Sequence, residues 1–244
     1  IKSSGAVSIT ATASSTASAA ITSTVATNAS GNVSFTATST TGNGIDYSGS
    51  SGTITGAAVS LTGTSTTGIA VKATGTITAN SLSVAGTGTT AATVVSLGAM
   101  TINTGDLTVV GNDTAAGSNT GITQTGAIAD NANGGNITFR SNNSITQSGT
   151  ITLVANTSGN PSTILYDNKT GDKTSVLTIG TLTNTGSSSP VNYSILASGG
   201  SIDPVVSVSG YIILDNTYGC TGSGCNPVSG FITLANAATY ATTG

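Results

Sequence analysis

Residues 56–79 read "GAAVSLTGTSTTGIAVKATGTITA" and carry one charged side chain, Lys72. The stretch almost repeats the one before it, "GNVSFTATSTTGNGIDYSGSSGTITG" at 31–56. In both, a short group of alternating apolar residues opens the unit, a second follows a polar turn, and a third closes it on "GTIT". Alternation with period two marks half-buried strands.

Outward from this pair, the same three groups recur in fixed order. The opening group is Val33/Phe35, Val59/Leu61, Leu82/Val84, Leu107/Val109 and Ile137/Phe139, advancing by 26, 23, 25 and 30 residues. The second is Ile45, Ile69, Val94, Ile122 and Ile145, and the third is Ile54, Ile77, Ile102, Ile128 and Ile151. Val7/Ile9 and Ile21 extend the series one step towards the N-terminus, with no clear third strand. One such unit cannot bury its apolar face alone, whereas stacked units share a continuous narrow core. The spacing predicts an all-β parallel β-helix with three short strands per coil of about 25 residues. Each strand then bonds to its counterparts about 4.8 Å above and below. The apolar residues named here form inward ladders, and glycine or asparagine at the corners supplies positive φ. On this register Ile69→Asp breaks its own coil and the neighbouring ones, whereas Thr64→Asp, placed in a turn, is nearly silent. Tandem β-sandwiches, or a pilus-like subunit completed by a donated strand, also use short strands, but the tight period disfavours both.

Regular coils are expected over residues 1–155. From 156 to 244 the order loosens: Ile164/Tyr166, Leu177/Ile179, Leu182, Val191/Ile195 and Ile202 suggest two or three irregular coils. "YIIL" at 211–214, a cysteine loop and "GFITLA" from 230 follow, and all four prolines fall in this part. It reads as an irregular continuation or as a terminal region covering the end of the stack, since open strand edges invite pairing with another chain. Cys220 and Cys225, in "CTGSGC", could close a small ring, which would fit an oxidising compartment.

Composition agrees with strands. Of 244 residues, 48 are Thr, 35 Ser and 33 Gly, and only 5% are charged, against about a quarter in an average domain. The mean hydropathy of +0.23 and the regular apolar spacing set the chain apart from a polar disordered linker. A net charge of −3 offers no basic cluster for phosphates, which argues against nucleic acid. No apolar run approaches the roughly 20 residues of a membrane-spanning helix. The chain begins at "IKSSGAVSIT" without an initiator Met or a signal peptide, as a mature segment or a fragment of something longer would.

The eight acids are Asp46, Asp106, Asp113, Asp130, Asp167, Asp172, Asp203 and Asp215, and they do not recur on one strand column. "YDNKTGDK" (166–173) reads as a solvated turn. Without His, a His-based nucleophile relay is impossible, and no plausible zinc ligand set exists. "GNDTAAG" (111–117) has oxygen ligands at turn spacing but lacks the tandem nonapeptides of a calcium roll. Neither a cofactor nor a metal is implied. The eight Asn-x-Ser/Thr sequons are about what so much Ser and Thr produces by chance.

"GNVSFTATSTTGNGIDYSG", "AAVSLTGTSTTGIAVKATGTITA" and "GNITFRSNNSITQSG" resemble the repeats of filamentous-haemagglutinin-like proteins, bacterial exoproteins exported by two-partner secretion. The resemblance covers residues 1 to 155 well and the rest loosely. It implies a right-handed β-helical rod, extracellular or at the bacterial surface, that serves adhesion or biofilm cohesion. Its partners would be other copies of itself, end to end or side by side, or glycans and proteins of a host or biofilm surface. The family's N-terminal secretion domain is not visible here. Some members end in a cysteine pair that retains them at the outer membrane. Nineteen residues follow Cys225, so Cys220 and Cys225 are treated as a structural disulfide. The expectation is therefore a non-enzymatic structural or adhesive protein. The alternatives are a carbohydrate-active β-helix enzyme, which would gather three aspartates in a cleft, and the stalk of a contact-dependent toxin-delivery protein.

Overall fold

The computed structural model describes residues 1–14, 18–49, 51–114, 119–154, 162–168, 177–184, 192–197, 202–206 and 212–215. Cys220, Cys225 and "GFITLA" lie outside the described residues. The chain is a β-solenoid of parallel strands, about 26 residues per turn, with no helix among the described residues. The strands belong to one hydrogen-bonded sheet and fall into three stacks along it, here faces I, II and III.

Face I stacks Val7–Ala13, Val33–Ser39, the second half of Ile54–Ser65, the second half of Ile77–Gly88, Leu107–Asp113 and Asn136–Ser141. Thr163–Asn168, Asn192–Ala197 and Ile212–Asp215 continue it. Every pairing is parallel, and Val7, Val33, Val59, Leu82, Leu107, Ile137 and Ile164 stand directly above one another. Phe35, Leu61, Val84, Val109, Phe139 and Tyr166 form the second inward ladder. All six are 0% exposed, and burying each such side chain contributes roughly 1.5–3 kcal/mol. Phe139 stacks on Tyr166 with ring centroids 5.2 Å apart, and Phe35 stacks on Tyr47 at 5.4 Å.

Face II corrects the expected register. Its ladder is Ile21, Ile45, Val71, Val95, Ile122, Ile145 and Leu177. Ile69 is only half-buried and outside the strand, where its N–H donates to Asn43 Oδ1 at 2.8 Å. Val94 is buried, but the residue in register is Val95. The cause is the corner between faces I and II. There two successive residues turn inward, Gly44/Ile45, Ala70/Val71, Val94/Val95 and Gly121/Ile122, so simple alternation fails. The opposing face I positions, Gly63, Gly86 and Gly111, leave the room: a Cβ at Gly63 would lie 2.0 Å from the Ala70 carbonyl oxygen.

Face III holds the "GTIT" strands. Thr27, Ile54, Ile77, Met100, Ile128, Ile151 and Leu182 form its ladder. Ile102 is buried on the same strand but sits two residues further on, level with Ala79 and Asp130. The N-terminal coil does have a third strand, Thr27–Ala29, which pairs with Lys2–Ser3 on one side. Thr27 fills the ladder site and its hydroxyl bonds the buried Tyr47 hydroxyl at 2.9 Å. A polar residue at that site concealed the strand.

Two further expectations change. Thr64 lies in strand Ile54–Ser65, pointing outward, and not in a turn. Among the described residues the glycine with positive φ is Gly134, at 73°. The corner glycines serve close approach instead. Gly75, Gly98, Gly126, Gly149 and Gly180 stand over one another between faces II and III, and a Cβ at Gly149 would fall 1.7 Å from the Gly126 carbonyl oxygen.

Candidate functional site

Face I has an outward side as regular as its inward one. Along each strand, alternate residues point out, giving Ser8/Thr10/Thr12, Ser34/Thr36/Thr38, Ser60/Thr62/Thr64 and Ser83/Ala85/Thr87. The pairings Thr10–Thr36–Thr62 and Thr12–Thr38–Thr64–Thr87 are in register, with no shift between these coils. All seven threonines are exposed. Each is β-branched, which stiffens χ1 and suits a strand. None of their hydroxyls is hydrogen-bonded within the described residues. Corner threonines behave differently: Thr67, Thr90 and Thr114 each donate to a carbonyl of the coil beneath, at 3.0, 2.8 and 3.1 Å. The Thr10 column gives way to Ala85 and then Val110, and the Thr12 column ends at Asn112; in the next coil Arg140 pairs with Asp167 at 2.9 Å.

The aspartates are spread over the corners and strands. Asp46 accepts from Asn43 Nδ2 at 2.7 Å and from Ser48 Oγ at 2.5 Å, and meets Lys72 of the next coil at 3.6 Å. Asp113, in the "GNDTAAG" stretch, accepts from Asn119 Nδ2 at 2.7 Å. Residues 115–117 of that stretch lie outside the described residues. "YDNKTGDK" begins as a strand and not as a solvated turn. Tyr166 is in the core and Asp167 is buried against Arg140, because the face I ladder continues through them; residues 169–173 are outside the described residues. Asp106 accepts two bonds from Asn136, at 2.9 and 3.1 Å, and Asp130 lies near it at the corner between faces III and I. Asp130 Oδ1 accepts from the Ala132 N–H at 3.0 Å, whereas its buried Oδ2 has no partner. Burial, opposed by the Ala132 hydrogen bond and helped by Asp106, raises its pKa to about 6. Among the described residues no three His, Cys, Asp or Glu side chains gather as a metal site.

No family model, curated protein or solved structure matches the chain.

Sequence reasoning found no site, and two polar features escaped it. One is a buried glutamine pair on face II. Gln147 Nε2 donates to Gln124 Oε1 at 3.2 Å and to the Gly149 carbonyl, and Gln147 Oε1 accepts from Tyr166 OH and the Gly180 N–H, both at 2.9 Å. The "ITQ" of 122–124 and of 145–147 was the available signal, a glutamine at an inward position in two successive coils. The other is the threonine array, whose signal was the recurring "TAT" and "TGT" at one phase of the repeat. A shallow depression of about 580 Å³, lined by Lys2, Ser3, Ser4, Asn28, Ala29 and Ser30, lies on face III at the N-terminal coil. Nothing in it resembles a reaction centre.

Proposed function

We propose that the chain is a structural, adhesive element of a bacterial surface or biofilm matrix, working outside the cell as a rigid rod with a hydroxyl-bearing face. The observation that carries this reading is the aligned array of seven exposed threonines whose hydroxyls have no partner within the described residues. Each hydroxyl contact with an outside surface is weak. Displayed at fixed spacing on a scaffold that loses no conformational freedom on contact, many of them add up by effective concentration. The near absence of charge lets such rods lie close together or against neutral surfaces without repulsion. The resemblance to filamentous-haemagglutinin-like repeats supports the same placement.

The test is multivalent display. Beads carrying many copies of the chain should be retained under flow on polysaccharide-coated surfaces and bacterial lawns. Free chain should wash away. Beads that leave as fast as uncoated ones would refute the adhesive reading.

A further inference from the structure

We propose that the threonine array of face I is an ice-binding surface. The inference rests on the adhesive reading of the same face and names its ligand, the ordered lattice of frozen water.

Three properties point there. First, the array is a two-dimensional lattice. Threonines two apart on a strand stand about 6.7 Å from each other, and counterparts on adjacent coils about 4.8 Å. In ice, tetrahedral oxygens bonded at about 2.75 Å place second neighbours about 4.5 Å apart and repeat about every 7.3 Å along the hexagonal axis. Each misfit is under about a tenth, and over the four coils Val7–Ala13 to Ile77–Gly88 the stacking error reaches only about 0.9 Å. The absence of register shifts keeps the ranks aligned.

Second, every array threonine presents the same pair of groups, a hydroxyl that can join the water network and a methyl that orders water beside it. Because χ1 is stiff in β-branched residues, these groups hold their positions without ligand. The hydroxyls are not spent internally, unlike those of Thr67, Thr90 and Thr114.

Third, the face is neutral. Its outward positions over these coils are Ser, Thr and Ala, and the charged pair Arg140–Asp167 lies beyond the array. A charge would organise liquid water around itself and spoil the match. The outward ranks of face III are one residue wide (Thr55, Thr78, Thr101), and those of face II include Asp46 and Lys72. Face I alone offers two adjacent threonine columns among the described strands.

The test is partition of the purified 244-residue chain into a slowly growing ice hemisphere, together with ice recrystallisation in frozen sucrose. The chain should be enriched in ice several-fold over a non-binding protein and should keep ice grains small. Thr36→Lys combined with Thr62→Lys should abolish both effects. Thr55→Lys, outward on face III, should leave both intact. Circular dichroism melts of all three proteins should superimpose, so that lost binding is not lost folding. Exclusion of the unaltered chain from ice, or equal behaviour of the two variants, overturns the proposal. Beads held under flow by a chain that ice excludes would overturn the ice inference and leave the adhesive reading standing. Failure of both assays would remove both.

Discussion

Asp130 is the residue whose surroundings most clearly depart from its preference. It lies 2% exposed, with one oxygen bonded to the Ala132 N–H and the other without a partner. Desolvation, with a smaller push from Asp106, lifts its pKa from 3.8 to about 6. Between those values the folded chain keeps a proton that the unfolded chain has released. Stability is therefore greatest below about pH 4, falls as pH rises to about 6, and is level above it. A two-unit shift, discounted for partial screening, corresponds to on the order of 1–2 kcal/mol, a few degrees in a chain of this size. Melting temperatures measured across that window should show the slope, and Asp130→Asn should flatten it. A slope that survives in Asp130→Asn would assign it to another group. Val71 is 0% exposed in the face II ladder, whereas Ile69 is half-buried outside the strand. In urea unfolding, Val71→Asp should cost about 4 kcal/mol or more, through a buried unpaired charge, and Ile69→Asp about 1 kcal/mol. Equal losses would restore Ile69 to the ladder.

At the scale of the strand and its corners, stacking of backbones decides which residues fit. Two places before each face III ladder residue from Ile77 to Leu182 stands a glycine, Gly75, Gly98, Gly126, Gly149 and Gly180, and each has the corner below within van der Waals contact of its missing Cβ. At Gly149 the obstacle is the Gly126 carbonyl oxygen, a backbone atom that cannot rotate away. Gly149→Ala should therefore destabilise by about 1–3 kcal/mol through forced separation of two coils. Gly5→Ala, where nothing lies within 4 Å, should be neutral within error. Thermal melts of the two variants make the comparison, and a harmless Gly149→Ala would mean that the corners are not in contact. The same corners explain what the sequence could and could not reveal. Face I was legible down to single residues, because Val59/Leu61 and Leu82/Val84 alternate without interruption. Face II was read one or two residues out at Ile69 and Val94, because pairs such as Ala70/Val71 turn inward together. Face III lost its first strand to the polar Thr27 and was read two residues out at Ile102, where Met100 holds the ladder position. The threonine array lay in the sequence as "TAT" and "TGT" at one phase of the face I repeat, but nothing there set it apart from an ordinary solvated strand face.

For the whole molecule, the repeat implies that the coil is the unit of both construction and stability. In a solenoid each coil contacts only its neighbours, so stability is close to a sum of coil and interface contributions. Ile54 stands beneath Ile77, and the 23 residues from Ile54 to Thr76 pass through all three faces once. A second copy of residues 54–76 inserted after Thr76 should add one coil whose every strand meets an identical or near-identical neighbour. That chain should keep its β-sheet circular dichroism and melt at the same temperature or a few degrees higher. A copy of residues 54–65 alone, inserted at the same place, supplies faces III and I without the return along face II. Its extra strand has no position in the stack, and it should lower the melting temperature or leave a protease-sensitive loop. The two insertions differ little in composition, so only a coil-based architecture separates them. If both were tolerated alike, stacking in register would not be what holds this chain together, and the alignment of its outer threonines would lose its physical basis.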